Sequence, residues 1–272
     1  MNYHSDEWIM ERLNEHYQEA LEYFPEDRIV CLILQGSQNY GLDYEDSDID
    51  TKLIVTPTFK DIAMNHKPVS TTHVRANDEH IDFKDVRLYI QTFRKQNLNF
   101  LEILYSPYAI INPMYENEWN RLVEAREAIT HYSPVQSIKS MRGIAKEKYF
   151  AMEHHYPSRM AWIEKFGYDP KQLHHLLRVE EYIERYINGE SYADCLKPRL
   201  PEYLKDVKRG CHSLETARFV ADNVMNHIDI MCDEFLKTCV KEADTDVDNI
   251  LNDVQYNIMK IAIKKEIGDI NE

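Results

Sequence analysis

The run RIVCLILQG, residues 28 to 36, constrains the fold more than any other stretch of this chain. Residues 29 to 34 are apolar without interruption, β-branched residues recur among them and a glycine stops the run, which reads as a strand buried on both faces. A second strand, DIDTKLIVTP, starts at Asp48 and is stopped by Pro57. The segment EHIDFK, residues 79 to 84, alternates apolar and polar and predicts a third.

Helical patterns flank these strands. Over residues 5 to 24, Trp8, Ile9, Leu13, Tyr17, Ala20 and Leu21 recur on one side, with Ser5 placed to cap the start and Pro25 following the end. Residues 85 to about 104 return to a helical period, with a break at Asn97. Beyond Pro113 the strand signal nearly vanishes, and residues 116–130, 134–155, 170–188, 213–240 and 246–267 all read as helices. The pattern gives an α/β front half over residues 1–115 and a helical back half over 116–272, with no internal repeat.

The net charge of −15 over 272 residues argues against a protein that coats nucleic acid by charge alone, while leaving room for local basic contacts in a cleft. Five scattered cysteines without a Cys-x-x-Cys pair read as reduced thiols. The opening MNYHSDEWIMERLNEH is polar and acidic, unlike a signal peptide, and no apolar run approaches bilayer length. These features predict a soluble cytoplasmic protein without a membrane partner.

The chemistry concentrates in GSQNYGLDYEDSDID, residues 36 to 50. Alternate strand residues share a face, so Asp48 and Asp50 project together while Ile49 turns into the core. Two carboxylates so close repel unless a cation joins them. Hard oxygen ligands suit Mg2+, which takes one or two carboxylates together with substrate phosphates. Gly36 lets backbone approach a phosphate, and the Ser37 hydroxyl and loop N–H groups donate to its oxygens. A phosphate-holding turn beside a metal-holding pair is what phosphoryl or nucleotidyl transfer needs. An isolated Asp-x-Asp is a weak motif, and acid-rich loops are commonly solvated turns. Here, however, the pair directly precedes an apolar strand, ten residues (38 to 47) after Gly-Ser ends another.

The sequence LILQGS, then QNYGLDYEDS, then DID resembles the signature of the DNA polymerase β-like nucleotidyltransferase superfamily. The continuation KDVRLYIQTFRKQNLNFLEILYSP is similar to a narrower group, the RNA-repair-ligase-associated (RlaP-like) nucleotidyltransferases, through Asn97, Leu101-Glu102 and Ser106-Pro107. KQLHHLLR is similar to that group's Lys…His…Arg helix. The resemblance implies an α+β fold: a polymerase β-like domain, a mixed sheet with flanking helices, followed by an all-helical domain that completes the nucleotide and acceptor cleft. It implies a metal-dependent nucleotidyltransferase in which Gly36 and Ser37 bind the triphosphate of an NTP, ATP first. Asp48 and Asp50 would ligate two divalent cations, Mg2+ or Mn2+. A third carboxylate normally completes the catalytic set. Asp82 fits as a strand residue between the core-facing Ile81 and Phe83, and so as a metal ligand. Asp85 fits the narrower group but also fits an N-cap of the next helix.

In the back half, Lys171, His175 and Arg178 fall at i, i+4 and i+7 on one helix face, opposite the apolar stripe of Leu173, Leu176, Ile183 and Ile187. That face is either solvated or, with the resemblance, a contact for the triphosphate or base; His174 is less aligned and suits a structural role. Lys139, Arg142 and Lys146 form a second basic ridge, more in keeping with a solvated face. DTDVDN, residues 244 to 249, opens like a calcium loop but has Asn249 at the sixth position and Gln255 at the twelfth, against calcium binding. His154-His155 lacks partners at zinc-ligand spacing.

By analogy the acceptor is an RNA or tRNA 3′ end. A protein side chain or small molecule is the alternative acceptor, and a catalytically inactive, antitoxin-like NTP-binding regulator is the alternative function. A helical interaction protein with an incidental acidic loop would bind neither NTP nor metal.

Overall fold

The computed structural model describes residues 3–270. In chain order its main elements are α1 (Asp6–Ala20), β1 (Ile29–Gln35), β2 (Asp50–Val55), α2 (Phe59–Ala63), β3 (Ser70–Val74), β4 (His80–Asp85), α3 (Val86–Arg94), α4 (Leu98–Leu101), β5 (Ala109–Ile111), α5 (Glu116–Glu124), α6 (Arg126–Thr130), α7 (Pro134–Ala151), α8 (Met160–Phe166), α9 (Pro170–Ile187), α10 (Tyr192–Cys195), α11 (Pro201–Lys208), α12 (Leu214–Thr238) and α13 (Thr245–Ile270). The fold is α+β: a mixed five-stranded sheet with flanking helices, then a helical region.

The strand order is β3-β4-β2-β1-β5. β1 runs antiparallel to β2 and β5, while β2 and β4 are parallel and β3 is antiparallel to β4. The two apolar runs identified in the sequence thus occupy the middle of the sheet. Ser5 caps α1 by accepting from the Trp8 N–H, and Ile9, Leu13, Tyr17 and Ala20 are its buried face. They pack against Leu32, Leu34, Leu53, Val55, Ile81 and Phe83, all core residues. On the opposite sheet face stand Lys52, Asp82 and Lys84, the alternate residues of β2 and β4, under Phe100, which packs edge-on to Tyr89 of α3.

The chain divides into two compact units. One holds the residues up to Tyr132 together with those from Ala243 onward; the other holds Ser133–Glu242. The division therefore falls after Tyr132 rather than near residue 115. α5 and α6 belong to the sheet-bearing unit because α13 returns to pack on α5 and α3. Arg94 of α3 binds Asp248 at 2.7 Å and Asn252 at 2.8 Å, and Asn257 donates to Glu118 of α5. In the second unit α9 is the central helix, contacted by α7, α11 and α12. Among the described residues no helix is long and apolar enough to cross a membrane.

Candidate active site

β1 ends opposite the start of β2, with Gln35 paired to Asp50, so the Gly36-Ser37 turn leaves the sheet beside the Asp-Ile-Asp segment. Gly36 has φ +118° and ψ −161°, a conformation that disfavours any residue with a Cβ. From Ser37 the chain makes a 3-10 turn to Tyr40 and leaves it through Gly41 at φ +69°. The Gln38 side-chain amide donates to the Asp48 carbonyl at 2.8 Å, tying the turn to the acidic segment.

Residues of the following helical stretch buttress this turn from behind. Asn39 donates to the Leu34 carbonyl and accepts from the Ser106 hydroxyl at 2.8 Å. The Tyr40 hydroxyl donates to the buried Glu102 carboxylate. Gln35 donates to the Asn99 carbonyl, and Asn97 caps α4. The Asn97, Glu102 and Ser106 positions noted in the sequence thus shape the loop.

Ile49 is fully buried, while Asp48 is exposed and Asp50 half-exposed, as alternation about Ile49 requires. Asp50 Oδ1 accepts from both the backbone N–H and the ring Nδ1 of His80, at 3.1 and 3.0 Å. The preceding residue, Glu79, is buried, and its Oε1 accepts from the Ile49 N–H at 3.3 Å. Its Oε2 is bound by Arg12, by Arg75 at 2.6 Å and by His16 at 3.0 Å. Burial works to raise the Glu79 pKa, but the His16, Asn77 and Arg12 hydrogen bonds and the Arg12 charge outweigh it. The carboxyl is held far below its usual range. The other ring nitrogen of His16 meets the Thr51 hydroxyl at 2.9 Å, linking α1 to β2.

Of the two third-carboxylate candidates, Asp82 shares a sheet face with Asp50 and Asp85 does not. Asp82 stands opposite Lys52 in the parallel ladder, and its Oδ2 lies 2.9 Å from the Lys52 ammonium. Lys52 and Lys84 each lie 4.3 Å from the Phe100 ring centre. Burial lowers the Lys84 pKa; Asp82 opposes this and Lys52 adds to it. Asp85 is buried on the α1 side, paired with Val55, and its carboxylate is filled by the Arg87 backbone N–H and guanidinium at 2.7 to 2.9 Å. Asp85 is therefore the N-cap of α3, with no oxygen turned toward Asp50.

Among the described residues no three His, Cys, Asp or Glu side chains are gathered as a metal site. Asp48 and Asp50 nevertheless fit a hard divalent cation. They are two oxygen donors beside a phosphate-suited turn, and Mg2+ completes its shell with water and substrate oxygens.

In the second unit, Lys171, His175 and Arg178 share one face of α9, with Lys171 exposed and the other two partly buried. Burial first, then the charges of His174, Lys171, Arg178 and Lys148, hold the His175 pKa well below its usual value, so the ring is neutral at pH 7. His174 is a core residue whose Nδ1 meets the Leu204 carbonyl at 2.8 Å; burial lowers its pKa to about 4. The second basic ridge is structural at Arg142, which binds Asp229 at 2.6 Å and Asp233 at 2.7 Å on α12. The calcium-like run opens α13: Asp244 accepts from the Asp246 and Val247 N–H groups, and Asp248 pairs with Arg94.

Sequence reading missed Glu79, His80, Lys52, Gln38 and Asn39. His80 had one legible signal, its place two residues before Asp82 on an alternating strand. Glu79 had none, because an isolated glutamate reads as solvent-facing.

The model of the RNA repair pathway DNA polymerase beta family matches residues 6–180, a span that runs past Gly36, Asp48, Asp50 and Asp82 to Arg178. No curated protein matches the chain.

Proposed function

Because the chain belongs to the RNA repair pathway DNA polymerase beta family, a polymerase β-like nucleotidyltransferase group, we propose that it moves a nucleoside monophosphate from an NTP, ATP first, to an acceptor hydroxyl. An RNA or tRNA 3′ end is the leading acceptor, by analogy with the family's description, and the cytoplasm is the setting.

The observation that carries this reading is the pairing of Gln35 with Asp50, which sets the Gly36-Ser37 turn beside an acidic pair whose central Ile49 is locked in the core. The Ser37 hydroxyl and the N–H groups of the turn donate to the triphosphate, and the Gly36 conformation clears the approach. Asp48 and Asp50 would hold Mg2+ or Mn2+, with Asp82 as third carboxylate once it exchanges Lys52 for the cation. The bound ions, two in this chemistry, supply neutralisation of phosphate charge and activation of the acceptor oxygen. In the transfer, the acceptor oxygen forms a bond to the α-phosphorus as the bond from that phosphorus to the β-bridging oxygen breaks. Pyrophosphate leaves with the electron pair, and the hydroxyl proton passes to solvent.

One observation favours a second reading, an NTP-binding regulator without turnover: Asp82 is engaged by Lys52 instead of standing with Asp48 and Asp50. Incubation with each α-labelled NTP and Mg2+ or Mn2+, offering total RNA, cell protein and small hydroxylated molecules, separates the two. Label in RNA supports the leading acceptor, and label in protein or small molecules redirects it. Tight NTP binding with no transfer to any acceptor would favour the regulator.

A further inference from the structure

We infer that His80 is a positioning residue for Asp50, fixing which carboxylate oxygen is presented to a divalent cation; the inference rests on the metal-dependent reading above and deepens it. His80 is the residue of β4 that comes level with Asp50, two places before Asp82 in the parallel ladder. Its backbone N–H and its ring Nδ1 both reach the same oxygen, Oδ1, at 3.1 and 3.0 Å. A carboxylate only accepts, so Nδ1 carries the ring proton. Two donors on Oδ1 fix the carboxylate's rotation, and among the described residues Oδ2 makes no hydrogen bond.

The neighbouring residue holds the other side of the same segment, since Glu79 Oε1 accepts from the Ile49 N–H. The dipeptide Glu79-His80 thus grips Asp-Ile-Asp at its backbone and at a carboxylate. The two grips differ in kind. Glu79 is buried among Arg12, Arg75 and His16, and its loss would disturb the fold. The His80 and Asp50 side chains are 44% and 43% exposed, and pairs that exposed add little to stability. What the His80 contact supplies is orientation of a ligand oxygen, the use to which hydrogen bonds behind metal ligands are put.

The test is Mn2+ binding, followed by calorimetry or by the free-ion spin-resonance signal without nucleotide, for wild type, His80→Ala, His80→Asn and Asp50→Asn. His80→Ala should weaken Mn2+ binding about tenfold with an unchanged melting temperature. His80→Asn, whose carboxamide supplies an N–H donor, should recover most of the loss. If transfer is measured alongside, the Mn2+ concentration for half-maximal rate should rise in step while the saturating rate changes little. Wild-type binding that is lost in Asp50→Asn yet kept in His80→Ala would overturn this inference alone. A wild-type chain that binds no Mn2+ would overturn the metal-dependent reading and the inference with it.

Discussion

The Lys52 ammonium lies 2.9 Å from the Asp82 carboxylate, and the two residues stand opposite each other in the central parallel ladder. Lys52 is buried and Asp82 only slightly exposed, so each offsets a charge that the other would leave uncompensated. Replacing Lys52 by Met should cost about 3 kcal/mol in urea denaturation, because it strands the carboxylate. The double variant Lys52→Met/Asp82→Asn should recover part of that loss. Strictly additive effects would mean that the pair is not coupled.

Asp82 and Asp85 separate cleanly by experiment. Asp85→Ala removes the cap of α3 and three hydrogen bonds from Arg87, and should destabilise the fold by about 2 kcal/mol. Its folded fraction should still bind Mn2+ and carry out transfer. Asp82→Asn also costs stability, because it leaves the buried Lys52 ammonium without its carboxylate, but its folded fraction should lose transfer by at least 100-fold. Exchanged phenotypes would reverse the assignment.

Gly36→Ala forces a residue with a Cβ to φ +118°. It should cost about 1–3 kcal/mol, or else relax the turn and lose ATP binding. Ser37→Ala should leave the melting temperature unchanged while weakening ATP binding several-fold. Wild-type stability and ATP affinity in Gly36→Ala would show that the turn needs no such conformation.

The helical unit should be acid-sensitive before the carboxylates titrate. The folded-state pKa of His174 is depressed to about 4 from the ordinary 6.5, so the unfolded chain binds the proton that the folded one refuses. The associated stability is complete above pH 6.5 and falls between pH 6.5 and 4, by about 3 kcal/mol from this residue. His175 is shifted in the same direction. A stability profile flat from pH 7 to 5 would contradict the assignment.

The buried strands, the Gly-Ser turn and the Asp-Ile-Asp pair were legible because apolar runs and period-two alternation are local signals. β3 was not, since STTHV is an edge strand with mostly exposed side chains. β5 is three residues long and shows no pattern of its own. The return of α13 to the first unit depends on contacts such as Arg94 with Asp248, far apart in sequence. Glu79 and Lys52 escaped notice for a shared reason. Each is a charged residue buried by partners that only the fold supplies, so its hydropathy pointed outward. The role of Asp85 was half legible: its fitness as an N-cap could be read, but the sheet face it occupies needed the register of β2 against β4.

The most direct test of the central claim compares wild type with Asp48→Asn and Asp50→Asn in transfer from α-labelled ATP to RNA, with Mg2+ or Mn2+. Label in RNA with the wild type, reduced at least 1000-fold in either variant while both remain folded, is the predicted result. Transfer retained in full by Asp48→Asn or Asp50→Asn would contradict it, because the acidic pair would then have no part in the reaction.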